Sequence, residues 1–375
     1  MDNIDVSVVI PCYNTDKYLD QALASAEQND RISLEIIVLN DGSTDNSLQI
    51  MRAHEAADPR VRVIDKPNQG YGASVNRGFS EARGTYLAIL EPDDWVAPHM
   101  YDDLFEYGMS FAPVMPDIIK SPYTRVVFPE TSDQYFCNCS YYKRVDPGFQ
   151  PFKLSDAPHL IQHHPSIWSA IYRKEFLEEK GIRFMEVPGA GWVDNPFLIE
   201  TLCQADTIVY KEQPYYHYRE DLPGSSSVLK KARLCFDRWN DMADILEKLG
   251  VTDDEILKAF YVIGFRYVGG SFADFGDDNP DIKEWSAELF RRMDPERVVR
   301  IKNLSGHSKK LFFELSGYEP IPYSNTEYYG ELVNEFFYSI KTNGLGFALG
   351  RVFWYGKQKA TEAGILKQKL NVAES

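Results

Sequence analysis

Short β-branched runs alternate with helically spaced segments through the first 90 residues, and no other feature restricts the fold as strongly. "VSVVI" (6–10), "LEIIVLN" (34–40), "VRVID" (61–65) and "TYLAIL" (85–90) have strand length and strand composition. Between them "KYLDQALASAEQ" (17–28), "STDNSLQIMRAHEAA" (43–57) and "GASVNRGFSEAR" (72–83) place apolar residues at helical spacing, the second opening on N-cap residues. Strand, helix, strand, helix predicts an α/β fold: a mostly parallel central sheet with helices on both faces. Beyond residue 111 the pattern loosens. "DIIKSPYTRVVF" (117–128) reads as extended chain, 129–165 has no clear period, and helices are expected at 172–181 and 195–205, with a strand in 206–220. "DLPGSSS" (221–227) reads as a linker and almost everything after it is helix-patterned, so two domains are expected, 1–225 and 226–375.

Composition narrows the function classes. A net charge of −16 argues against nucleic acid as partner, because phosphate neutralisation needs basic surface. Five cysteines, odd in number and mostly scattered, suit a reducing compartment. Acidic residues stand where a secretory leader would carry basic ones, and no window nears the ~20 apolar residues of a membrane span. These features lead us to expect a soluble cytoplasmic protein, at most peripheral to the inner face of a membrane. Residues 338–375 differ from the rest, with six basic residues against two acidic, a net of +4. There "LGFALGRVFWYGKQK" interleaves aromatics with basic residues, which suits an interfacial helix, a helix folded back on the domain, or a homo-oligomer contact.

The polar residues fall where the strands end: "PCYN" (11–14), "NDGS" (40–43) and "EPDD" (91–94). In an open parallel sheet those ends share one crevice, the usual place for a ligand. "NQGYGASVNRG" (68–78) adds a Gly-rich entry to a helix, whose amides suit an anion. "NDGS" alone is also good turn chemistry, and acids alone also favour helix starts. Glu91, Asp93 and Asp94 nevertheless follow a buried strand directly. Two carboxylates about 4 Å apart repel by roughly 4 kcal/mol at an effective dielectric near 20, so a positive partner is expected.

Five segments, "VSVVIPCYN", "EIIVLNDGSTDNS", "NQGYGASVNRG", "GTYLAILEPDDWV" and "GWVDNPF", taken in order, resemble the family 2 glycosyltransferases, inverting enzymes of GT-A fold; the resemblance covers roughly the first 220 residues. It implies a nucleotide-diphosphate sugar donor (UDP-linked before GDP or dTDP), a Mn²⁺ or Mg²⁺ ion, and a hydroxyl acceptor on a glycan or lipid-linked glycan of the cell envelope. Pro11, Tyr13, Asn14, Asp41, Gly70, Asn76, Glu91 and Asp93 would line the donor site, with Tyr13 against the nucleobase and Asp41 accepting from its ring. Asp93 and Asp94 would hold the metal, and His217 is a candidate third ligand, although packing among the neighbouring tyrosines is the stronger reading for it. Asp194 would be the catalytic base, or else an N-cap. "PGAGW" (188–192) reads as a mobile acceptor-side loop, with Trp192 either a sugar platform or packing. The chain departs from the family pattern at Glu91, for the usual Asp, at Val193, for the Glu before the base, and at Val75, for an Arg. Those departures keep a catalytically inactive sugar-nucleotide-binding module open as an alternative. A nucleotidyltransferase is disfavoured, because "PCYNTDKYLD" is not the basic Gly-rich loop it needs. "CFDRW" (235–239) has Cys235 where processive synthases place Gln.

Overall fold

The computed structural model describes residues 4–220, 222, 232–276 and 278–362. Eleven strands occur among them: β1 (Val6–Cys12), β2 (Leu34–Asp41), β3 (Val61–Lys66), β4 (Tyr86–Ile89), β5 (Trp95–Val96), β6 (Ile118–Lys120), β7 (Tyr123–Val127), β8 (Tyr135–Asn138), β9 (Ala170–Arg173), β10 (Ile208–Tyr210) and β11 (Tyr216–Arg219). The helices of the first part are α1 (Asp16–Glu27), α2 (Ser47–Ala57), α3 (Tyr71–Glu81), α4 (Met100–Met109), α5 (His159–Gln162), α6 (Lys174–Lys180) and α7 (Asp194–Gln204). The C-terminal part adds α8 (Leu234–Lys248), α9 (Asp254–Phe275), α10 (Pro280–Arg291), α11 (Pro295–Arg300), α12 (Gly306–Ser316), α13 (Thr326–Asn343) and α14 (Leu345–Glu362).

The main sheet has the order β10-β6-β9-β4-β1-β2-β3. Its β4-β1-β2-β3 part is parallel, as the alternation requires, and β1, β2 and β4 are buried along their whole length. Continuous burial is why these runs are uniformly apolar instead of alternating. The antiparallel strand β9, between β4 and β6, was not foreseen. Neither was the second sheet, β5-β11-β7-β8, which pairs the two-residue β5 with β11. That pairing carries the site: His217 opposes Trp95, so the chain around residue 217 lies beside the acidic loop that follows β4.

The expected domain boundary lies at residues outside those described, with Leu222 of the linker the exception. On either side of it the buried apolar residues form one continuous cluster, from Val6 to Phe313. Helix α8 packs along α7 and α9 along α5, so the helical region is seated on the sheet domain. Helices α13 and α14 make a hairpin whose first helix is tied to the segment after β8: Tyr338 donates to the Tyr142 carbonyl at 2.6 Å, and Arg144 pairs with Glu335 at 2.6 Å. No described helix is long and apolar enough to cross a membrane.

Candidate active site

Beyond the ends of β1 and β2, two loops are stitched together. Pro11 lies inside β1, past the last β1–β4 pair, Val9 with Ile89, where a missing N–H costs that ladder nothing. Tyr13 is 51% exposed, leaving its ring open to a ligand. Asn14 adopts φ 53°, a conformation Asn tolerates, and accepts from the Thr44 amide at 2.7 Å while its own amide donates to Ser43 Oγ at 3.0 Å.

Asp41 ends β2, buried, and organises the Gly-rich loop. Its Oδ1 accepts from the Gln69 amide and its Oδ2 from the Gly70 amide, both at 2.9 Å, and Lys66 pairs with Oδ1. A nucleobase N–H would use the acceptor capacity left on Oδ2. Gly70 has φ +92°, and a Cβ there would stand 2.5 Å from the Val187 carbonyl oxygen, so this position needs glycine on both counts. Tyr71 then donates its amide to the Gly189 carbonyl at 3.0 Å, which pins one side of the 188–192 loop. Asn76 corrects an expectation. It is buried in α3, donating to the Phe184 carbonyl and Glu186 Oε1 and accepting from the Phe184 amide, so its amide clamps the 184–186 segment and both its N–H groups are spent there.

The acidic trio divides by role. Asp94 is completely buried, with Oδ1 accepting from the Arg219 amide at 2.7 Å and Oδ2 from the Tyr216 hydroxyl at 3.0 Å. It is an internal strut of the loop, a correction to the expectation of a metal ligand. Glu91 accepts from the Tyr71 hydroxyl at 2.5 Å, and its amide donates to Tyr216 Oη at 3.1 Å. Burial pushes Glu91 up to about 8, against the Tyr71 hydrogen bond, and the charges of Asp93 and Asp194 add to the rise. Asp93 is also raised by burial, partly offset by Arg219. The Arg219 guanidinium bonds the Asp93 carbonyl and Gln21 and lies 4.3 Å from the Trp95 ring, without an ion pair to any of the trio.

His217 does not join these acids. Its ring is stacked on Trp95 (4.8 Å between centroids, 8° between planes), and its buried Nδ1 has no hydrogen-bond partner among the described residues. No three of Glu91, Asp93, Asp94 and His217 bring ligand atoms within 4.8 Å of one another; among the described residues the group that does is Asp30, His99 and Asp102. There Asp102 already accepts from the Asp30 and Arg31 amides and from His99 Nδ1, a satisfied helix-start cluster. At Glu91 and Asp93 the fit to a cation is different in kind: desolvated carboxylates, both raised, with no basic side chain paired to them among the described residues. A hard divalent cation suits such oxygens, with further ligands from a diphosphate.

Asp194 opens α7, while Val193 holds the cap position and no side chain caps the helix. The N-cap role is therefore not the one Asp194 plays. Its Oδ1 accepts from Asn195 Nδ2 at 3.1 Å, and Asn195 Oδ1 accepts from the Tyr267 hydroxyl at 2.9 Å. Burial raises Asp194 to about 6, against the hydrogen bonds from Asn195. The carboxylate lines a cavity of about 320 Å³ together with Trp192, His163, His164, Tyr218, Arg266 and Tyr267. Trp192 packs against Tyr267, 5.8 Å between centroids. Tyr71, Tyr216, Arg219, Arg266 and Tyr267 were not singled out from the sequence. The polar aromatic run "PYYHYRE" hinted at Tyr216 and Arg219, whereas nothing local marks the two residues on α9.

Comparison with known proteins supports the resemblance over the sheet domain. The model for "Glycosyl transferase family 2" matches residues 7–179, the stretch that carries the three strand-end loops and the Gly-rich helix. Residues 7–179 are a family 2 glycosyltransferase domain. The uncharacterized glycosyltransferase EpsJ of Bacillus subtilis (strain 168) is 25% identical over 238 residues, 58% of this chain and 61% of that protein. The putative glycosyltransferase EpsH of the same organism is 28% identical over 239 residues, 62% of this chain and 64% of that one. The chain thus spans about six tenths of the length of these relatives. Among solved structures, S. aureus TarS 1–349 in complex with UDP-GlcNAc superposes with a TM-score of 0.66 at 17% identity, covering 90% of this chain and 92% of that one. That likeness is one of fold, and it extends through the helical C-terminal region. The architecture is the GT-A arrangement with a helical C-terminal region.

Proposed function

We propose that this family 2 domain transfers one sugar, with inversion, from a nucleoside-diphosphate sugar to a hydroxyl of a glycan or lipid-linked acceptor. UDP is the proposed nucleotide, because TarS, of the same fold, was crystallised with UDP and UDP-GlcNAc. The observation that carries the reading is the meeting of Asp194 with Glu91 and Asp93, about a hundred residues apart in sequence, closely enough for each to raise the pKa of Glu91. Tyr13 would cover the base and the Asn14, Asp41 and Gly70 loops would shape the pocket around the nucleotide. Asp93, with Glu91 beside it, would hold a Mn²⁺ or Mg²⁺ ion that offsets charge on the leaving diphosphate. Asp194 takes the proton of the acceptor hydroxyl as that oxygen bonds to the anomeric carbon and the bond to the diphosphate breaks on the opposite face. Asn195, held by Tyr267, orients the carboxylate. Calorimetry with UDP, with and without Mn²⁺, tests the donor site, and a panel of sugar nucleotides read by hydrolysis identifies the donor. Binding with no hydrolysis of any donor would leave only the inactive-module alternative.

We further propose that the α13–α14 hairpin rests on an anionic bilayer at the inner membrane face. Val333 and Phe337 on α13, and Leu349 and Phe353 on α14, are each more than half exposed, beside exposed Lys341 and Arg351. Interleaved apolar and basic groups match an acidic headgroup layer. Lys367 and Lys369 lie outside the described residues. Flotation with anionic liposomes should recover the wild type and not the Phe337→Asp/Phe353→Asp double variant. A wild-type dimer that the double variant abolishes, without flotation, would assign the face to a second copy instead.

A further inference from the structure

The cavity at Asp194 continues beyond the base. His163 and Arg266 line it and also line a larger cavity of about 710 Å³, bounded by α5, α9, the chain after α11, and α13. The walls of the larger one carry six Arg or Lys side chains against three Glu, in a chain whose net charge is −16. Five of the six have acidic partners. Arg144 and Arg351 approach Glu335, Lys258 approaches Glu255, Arg300 approaches Asp254, and Lys302 approaches Glu327. Arg266 differs. It is exposed, makes no ion pair among the described residues, and its one side-chain hydrogen bond is a long one, 3.5 Å, to the His163 carbonyl.

The histidines beside it are neutral. Burial, His159 and the charges of Arg266, Arg144 and Arg351 hold His163 well below its ordinary range, and burial with Arg266 takes His164 down to about 3. His164 Nδ1 is buried without a hydrogen-bond partner among the described residues. The junction of the two cavities therefore offers a guanidinium with no ion pair among the described residues, flanked by the uncharged imidazole of His163. A planar guanidinium fork is matched by the paired oxygens of a phosphate or carboxylate.

We propose that the acceptor is anionic: its hydroxyl enters at Asp194, a phosphate or carboxylate of the same molecule is held by Arg266, and its chain runs on into the larger basic cavity. Naming this ligand the acceptor rests on the transferase reading; the oxyanion site does not. The site is tested on the full chain without donor or divalent cation, using short-chain inorganic polyphosphate in one titration and oligogalacturonate in another, followed by calorimetry and by the imidazole resonances of His163 and His164. At least one probe should bind, move those resonances and weaken with added salt. Arg266→Gln should lower the affinity about tenfold or more, and the better probe identifies the oxyanion. Failure of both probes, or equal binding by wild type and Arg266→Gln, overturns the proposal. Donor hydrolysis measured in parallel reports on the transferase alone, so binding without hydrolysis keeps the site and sinks the enzyme, and hydrolysis without binding does the reverse.

Discussion

The two sides of the cleft are built in opposite ways. On the proposed donor side, Tyr13, Asp41, Glu91 and Asp93 come from the ends of β1, β2 and β4 or the loops directly after them, and the charge that gathers there is negative. On the other side, His163 and His164 come from an irregular segment, Trp192 and Asp194 from a loop and helix start, and Arg266 and Tyr267 from the middle of α9; there Asp194 stands against Arg266, and basic side chains outnumber acidic ones in the larger cavity beyond. A parallel sheet delivers its loops to one edge by topology alone, whereas a wall assembled from a helix and a distant irregular segment exists only once the core has closed.

The largest effect should come where the two sides meet. Asp194→Asn should cut transfer by about 10²–10⁴-fold with UDP affinity unchanged, read by steady-state kinetics and calorimetry; comparable transfer would separate the base from this residue. Because Asp194 is raised to about 6 from an ordinary 3.8, the base is lost as pH falls through 6, and transfer should fall with it. Its linkage to stability has the opposite sign. Between 3.8 and 6 the folded chain holds more protons than the unfolded one, so stability drops as pH rises through that window. Asp194→Asn should therefore raise the thermal midpoint at pH 7.5 and lose that advantage below pH 4.

On the donor side alone, Asp93→Asn should weaken UDP binding in Mn²⁺ by about ten- to a hundredfold, in the range of perturbed metal sites, and leave metal-free binding unchanged. An equal loss in both conditions would remove the cation from this loop. Smaller again is Gly70→Ala, which forces a Cβ into φ +92° and against the Val187 carbonyl. It should cost about 2–3 kcal/mol in denaturant unfolding, the scale of stored backbone strain, and should loosen the contact between the Gly-rich loop and the acceptor-side loop. The smallest is at the hairpin. Phe337→Asp/Phe353→Asp should shift stability by no more than about 0.5 kcal/mol per site, as exposed positions do, so a large loss would mean that this face is already buried against a partner.

Sequence reading went furthest where one local rule governed. The four strands, the helices between them and the shared edge followed from hydrophobic period, and α6 stops at Gly181, the end of the helix expected over 172–181, where the glycine adopts the left-handed conformation. It did less well with roles. Asp94 and Asn76 look like ligands in the sequence, yet hydrogen bonds from Tyr216, Arg219 and the 184–186 segment, all over a hundred residues away, take up their polar groups. His217 is a candidate metal ligand in the sequence, with packing the stronger reading, and the β5–β11 register stacks it on Trp95. Tyr71 stood in a quoted motif unnoticed, because its partner Glu91 lies on another loop.

The sequence by itself determined the parallel α/β scaffold, the family 2 resemblance of its sheet domain and the clustering of carboxylates at the ends of the strands, since hydrophobic period and motifs depend on neighbours along the chain. Only the tertiary structure decided which carboxylates stay open, that α9 closes the cavity at Asp194, and that Arg266 lines it with no ion pair among the described residues. Those outcomes depend on which buried polar groups find partners across long stretches of chain, and desolvation makes each such pairing decisive.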